Sequence, residues 1–212
     1  CLACLDLDEE RARSTAAAIG EASAIAIGCD ISDETAVAAA VDRIVARWER
    51  VDIAVNCAGV DFVVGIDAMT VAQWDRVLGV NLRGPFLISK AVYPVMKRQG
   101  GGDIVNVAST ASLRAWGNAS AYHASKWGLR GFSRGLGVEG RTDGIRVTTI
   151  IPGGMDTHWF DRFPEQGIPL PDAKHLQDPA IVADAIAYAV SLPRGSAMQE
   201  MMVTPLSETS WP

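Results

Sequence analysis

The chain has 212 residues, 49% of them hydrophobic and 21% charged, enough for one domain with a full apolar core. A net charge of −6 weighs against nucleic acid or an anionic membrane as partner, and no apolar run approaches the ~20 residues that span a bilayer. The first residue is Cys1 rather than a methionine and no signal-peptide pattern follows, so the chain is expected to begin inside a longer protein and to work in the cytoplasm.

Short apolar runs alternate with amphipathic ones. Cys1 to Leu5 reads as a strand ending at Asp6, and Asp8 to Ile19 as a helix stopped by Gly20. Ala24 to Gly28 is a second strand, followed by Cys29-Asp30-Ile31. Ser32 is the predicted N-cap of the next helix, with Asp33 and Glu34 suited to the helix dipole. Val51 to Val55 is a third strand and runs into Asn56-Cys57-Ala58-Gly59. Thr70 to Gln73 has the form of a capping box and opens a long helix through Val92, with a bend expected at Gly84-Pro85. Gly100 to Gly102 breaks it. Asp103 to Ala108 is a strand that delivers Ser109, and Ala119 to Val138 is a helix. Ile145 to Ile151 is a strand halted by Pro152-Gly153. A loop runs to about Gln177, then Pro179 to Ser191 is a helix and Gln199 to Val203 a last strand.

This alternation predicts an α/β fold: one doubly wound, Rossmann-type parallel sheet, with residues 1–212 as a single domain. Ligands of such sheets lie beyond the carboxyl ends of the strands. Here those ends carry Asp6, Asp30, Asn56 to Gly59, Ser109 and Pro152-Gly153. A carboxylate after an early strand suits the ribose hydroxyls of NAD and repels the 2′-phosphate of NADP. On the helix after Ser109, Tyr122 and Lys126 share a face, and a phenol beside an ammonium is suited to proton transfer near neutral pH. That requires a strongly lowered phenol pKa, which calls for a second positive charge such as an oxidised nicotinamide. The Cys1-x-x-Cys4 pair lacks a second pair or histidines at finger spacing, so buried thiols are expected and no metal.

Together these stretches resemble the classical short-chain dehydrogenase/reductase family. Asn56-Cys57-Ala58-Gly59 is similar to its Asn-Asn-Ala-Gly, and Val80-Asn81-Leu82 to the segment with its helix asparagine. Ser109, Tyr122 and Lys126 match its serine and Tyr-x-x-x-Lys, and Pro152 to Thr157 its Pro-Gly-x-x-x-Thr. The resemblance implies Asn81, Ser109, Tyr122 and Lys126 as catalytic residues. Tyr122 would be the general acid/base, Lys126 would hold the ribose and lower the phenol pKa, and Asn81 would hold a water. Cofactor contacts would come from Asp6, Asp30, Ile31, Asn56, Ala58, Gly59, Tyr122, Lys126, Pro152, Gly153, Met155 and Thr157. The expected cofactor is NAD, favoured by Asp6, with NADP as the other possibility. The reaction would interconvert a small secondary alcohol and a ketone, with Asp61, Phe62, Arg114, Trp116 and the stretch His158 to Phe160 as candidate substrate contacts. A homodimer or homotetramer is implied.

One departure stands out. The family opens with a strand, a glycine-rich turn and a helix that seat the pyrophosphate, and this chain begins at what would be the second strand. Gly131 to Gly137 has similar glycine spacing but lies inside a predicted helix. The competing expectation is therefore a non-catalytic relative that acts as a binding partner.

Overall fold

Six short strands form wherever β-branched and small apolar residues run between turn signals, and all of them pair in parallel. The computed structural model describes residues 1–20, 22–161, 163–164 and 167–208. Strand β1 (Leu2–Asp6) leads to α1 (Glu9–Ile19), β2 (Ala24–Gly28) to α2 (Glu34–Trp48), and β3 (Ile53–Asn56) to α3 (Val71–Leu78). After a π-helical turn, Gly79–Arg83, come α4 (Gly84–Arg98), β4 (Gly102–Val107) and α5 (Ser120–Glu139). Then follow β5 (Ile145–Pro152), α6 (Pro179–Ser191) and β6 (Glu200–Val203).

The parallel sheet is found in two pieces. One pairs β1 with β2, and the other runs β3-β4-β5-β6. β3 is an edge strand whose side chains alternate: Ala54 and Asn56 are buried, whereas Ile53 and Val55 are 47% and 43% exposed, so one face of β3 is uncovered. β4 and β5 are buried along nearly their whole length, as strands covered on both faces must be.

Two apolar layers result. Val37 and Val41 of α2, with Leu87, Val92 and Met96 of α4, pack with Leu136 of α5 on Ile27, Ala54, Ile104 and Val147 of the strands. On the other face Val182 of α6 meets Val105 and Ile150. A buried polar chain sets the register between sheet and α5. Asn56 donates to Asn106 at 2.8 Å, Asn106 to Ser133 at 2.8 Å, and Ser133 to the Leu129 carbonyl at 2.7 Å.

Two local expectations are corrected. The N-cap of α2 is Asp33, whose carboxylate accepts from the Ala36 amide, because the Ser32 hydroxyl donates instead to Asp30. The long helix after the Thr70–Gln73 capping box is interrupted earlier than Gly84-Pro85, by the π-helical turn. Proline has no N–H, so Pro85 cannot supply the i+4 donor that an α-helix would bring to the Asn81 carbonyl.

Candidate active site

The carboxyl ends of β3 and β4, the π-helical turn and the first turns of α5 converge. The turn buries Asn81 completely and spends its side-chain amide on the loop after β3. Its Oδ1 accepts from the Val60 amide at 2.8 Å, and its Nδ2 donates to the Val60 carbonyl at 2.8 Å and to Ser125 Oγ at 3.1 Å. Ser125 in turn donates to the Tyr122 carbonyl at 2.7 Å. One amide therefore joins the Asn56–Gly59 segment to the helix carrying Tyr122. With its side chain so engaged, Asn81 acts as a clamp.

Lys126 is 4% exposed and donates to the Val107 carbonyl at 2.8 Å, at the end of β4. Its ammonium lies 5.6 Å from the centre of the Tyr122 ring. Burial lowers its pKa to about 8, and the nearby Cys57 acts in the opposite direction. Gly59 sits among these groups. A Cβ there would stand 3.5 Å from the Trp159 ring, 3.6 Å from Asn81 Oδ1 and 3.8 Å from Lys126 Nζ.

Ser109 holds its own loop open, accepting from the Ala111 amide at 3.2 Å, and its side chain is hydrogen-bonded to Tyr122. The tyrosine departs from expectation. Its pKa is raised, first by burial and then by the Asp61 carboxylate, and the Ser109 hydrogen bond only partly offsets this. The ammonium of Lys126 is bound to a carbonyl beside the ring and does not overcome desolvation. Tyr122 is therefore a firmly protonated phenol in the protein alone.

The other expected site residues divide. Asp6 is exposed at the end of β1 and its carboxylate accepts from the Asp8 amide at 2.9 Å. Asp30 binds Ser32 and pairs with Arg76 at 3.0 Å, while Ile31 seats its side chain against Gly84. The amide of Asn56 is turned inward to Asn106, and Ala58 is exposed on the same loop. Pro152 ends β5, and the Gly153 amide donates to Val203 at 2.9 Å. Met155 packs in the layer beneath α6, and Thr157 caps the turn His158–Phe160. Arg114 is ion-paired with Glu208, and Trp116 packs on the edge of His123 with ring centres 4.4 Å apart. His158 points outward to Asp161 at 3.0 Å with its side chain 89% exposed. The residue of that turn that faces the site is Trp159, 5.4 Å from Tyr122 between ring centres. The sequence marks only the stretch His158 to Phe160, because the loop after β5 has no period that would single out one side chain.

Asp61, a candidate substrate contact in the sequence, lies beside the reaction centre. It follows the clamped Val60, accepts from the Phe62 amide at 2.8 Å, and is half-buried. Burial raises its pKa to about 6, against the Phe62 hydrogen bond and the charge of His123. Among the described residues no cluster of His, Cys or acidic side chains could hold a metal, and no helix is long and apolar enough to cross a membrane.

The parallel α/β fold gathers a tyrosine, a lysine, a serine and an asparagine beyond two strand ends. The chain belongs to the short chain dehydrogenase family, whose model matches residues 1–167. It is 40% identical over 153 residues to the D-threitol dehydrogenase of Mycolicibacterium smegmatis, covering 71% of this chain and 59% of that protein. It is 35% identical to the 2-(R)-hydroxypropyl-CoM dehydrogenase of Xanthobacter autotrophicus, over 88% of this chain and 80% of that one. Among solved structures, a metagenomic short-chain oxidoreductase in complex with NADP superposes with a TM-score of 0.82 at 28% identity, covering 97% of this chain and 86% of that chain. The chain spans about 60% of the length of the curated relatives it matches first, with 59% and 62% covered.

Proposed function

We propose that this chain carries the reaction centre of a nicotinamide-dependent oxidoreductase that interconverts a small secondary alcohol and a ketone. The observation that carries this reading is the join of four side chains into one unit: Asn81 clamps Val60 and Ser125, Lys126 is held at Val107, and Tyr122 meets Ser109. Two relatives named as dehydrogenases support it. The residues fit a nicotinamide nucleotide, because the buried Lys126 makes one hydrogen bond among the described residues and an ammonium has three donors. The remaining donors suit ribose hydroxyls. Asp30 and Asp6 stand at the outer strand ends, where adenosine would lie. When bound, the nicotinamide supplies or accepts the hydride.

The chain's own residues do the rest. Ser109 holds the substrate oxygen beside the phenol. Tyr122 begins carbonyl reduction protonated and gives its proton to that oxygen, taking it back in the oxidative direction. Lys126 orients the ribose and provides the cation that stabilises the phenolate once formed. Trp159 covers the Tyr122 ring and keeps water from the reacting atoms.

The test is oxidation of NADH or NADPH by a panel of small ketones at saturating cofactor. The Tyr122→Phe change removes the acid and keeps the ring, so turnover should drop by about a hundredfold or more. Equal turnover in the variant would overturn Tyr122 as the acid, and no turnover in either protein would support a binding relative without catalysis.

A further inference from the structure

A concavity lies at the opposite pole from Tyr122. A cavity of about 570 Å³ opens between the last turns of α5, the amino end of β5 and the segment 194–199 that enters β6. The eight residues of β5 separate it from the reaction centre by roughly 25 Å.

Its walls bring four arginines together, Arg134, Arg141, Arg146 and Arg194, in a chain whose net charge is −6. Among the described residues two carboxylates serve three of them, and both are shared. Glu200 accepts from Arg134 at 2.9 and 3.1 Å and equally from Arg130 of the same helix at 2.9 Å. Asp103 accepts from Arg146 at 2.7 and 3.0 Å and is 3.5 Å from Arg194. Arg141 has no ion pair among the described residues. Asp143, two residues on, is turned to Lys97 and Tyr93.

The frame is rigid where it needs to be. The buried Arg146 guanidinium donates to the carbonyls of Val190, Leu192, Pro193 and Ser196 and so ties down the loop that presents Arg194. Four guanidiniums share two carboxylates in and around one concave surface, Arg141 adds a fifth without an ion pair among the described residues, and their field adds rather than cancels. Guanidinium forks suit carboxylate and phosphate oxygens alike. Here they come from different walls, which matches a tetrahedral oxyanion better than a flat carboxylate.

We propose that this cavity is a second ligand site, separate from the reaction centre, which binds a small anion carrying two or more negative charges on phosphoryl oxygens. Arg141 and Arg194 grip it at the mouth, and Arg134 provides the charge of the inner wall. The site does not depend on the proposed reaction.

Calorimetric titration of the 212-residue chain with inorganic pyrophosphate, inorganic phosphate and citrate tests this, against sodium chloride at matched ionic strength. Saturable binding of pyrophosphate, tighter than citrate, is expected. Arg141→Gln with Arg194→Gln should weaken it about tenfold or more, and Arg141→Gln alone, which breaks no ion pair, should weaken it severalfold. Tyr122→Phe should leave it unchanged. Heat reproduced by sodium chloride, or equal affinity in a folded double variant, would overturn the site. A changed oligomeric state of the double variant without anion would also overturn it, by assigning these arginines to a contact between copies.

Discussion

Asp61 and Lys126 bring opposite titrations to the same few ångströms of the site. Asp61 has a folded pKa of about 6, above its ordinary value, so the folded state favours its proton. The stability this contributes is complete below about pH 4 and is lost as pH rises through 6. Asp61→Asn keeps the acceptor for the Phe62 amide and cannot ionise. It should stabilise the protein by about 1–2 kcal/mol at pH 7.5 and by nothing measurable at pH 4, read from urea unfolding at both pH values. Lys126 has its pKa lowered to about 8, so the ammonium proposed to hold the ribose is lost as pH rises past that value. NADH affinity should therefore fall between pH 7 and pH 9, and Lys126→Met should abolish that dependence in a fluorescence titration. The identity of these residues was readable from spacing: Tyr122 and Lys126 by one helical turn, Ser109 by its place after a strand. Their electrostatics was not, since the raised phenol pKa comes from packing by Trp159 and from Asp61, which no local pattern assigns.

At the scale of elements, the π-helical turn is the device that aims Asn81. Hydrophobic period located the helix, but five residues of π-helix are too few to shift that period, so only a bend at Gly84-Pro85 was legible. Gly84 has its own constraint: a Cβ there would come within 2.6 Å of Ile31 Cδ1. Gly84→Ala should cost about 1–3 kcal/mol and reduce turnover through displacement of Asn81, measured as paired losses of melting temperature and kcat. At the other end of the molecule Glu200 ties β6 to α5. Its pKa is held down to about 2, chiefly by the Arg130 hydrogen bond and also by Arg134. The stability it adds is present above about pH 4.5 and is lost as pH falls toward 2. Glu200→Gln should cost about 1–2 kcal/mol at pH 7, with the difference from the parent chain shrinking below pH 4 in acid-titrated unfolding.

For the whole molecule, alternating strands and helices were enough to foresee a parallel α/β sheet and which strand ends bear the site. The division of that sheet into β1-β2 and β3-β4-β5-β6 agrees with the family's first, central strand being missing from the sequence pattern, and the exposed Ile53 and Val55 show one face of β3 uncovered. Among the described residues no glycine-rich turn joins a strand to a helix. These 212 residues by themselves should accordingly bind NADH with a dissociation constant well above micromolar. Asp6 should favour NADH over NADPH, and Asp6→Ser should narrow that preference by about tenfold in relative kcat/KM. The most direct test of the reaction centre is transfer of label from 4-deuterated NADH or NADPH to a ketone, followed by mass analysis of the alcohol. The expected result is one deuterium on the carbinol carbon, formed by the parent chain and slowed about a hundredfold or more by Tyr122→Phe. An alcohol without label, or label transferred equally fast by the variant, would contradict the assignment of Tyr122 and its partners as the hydride-transfer site.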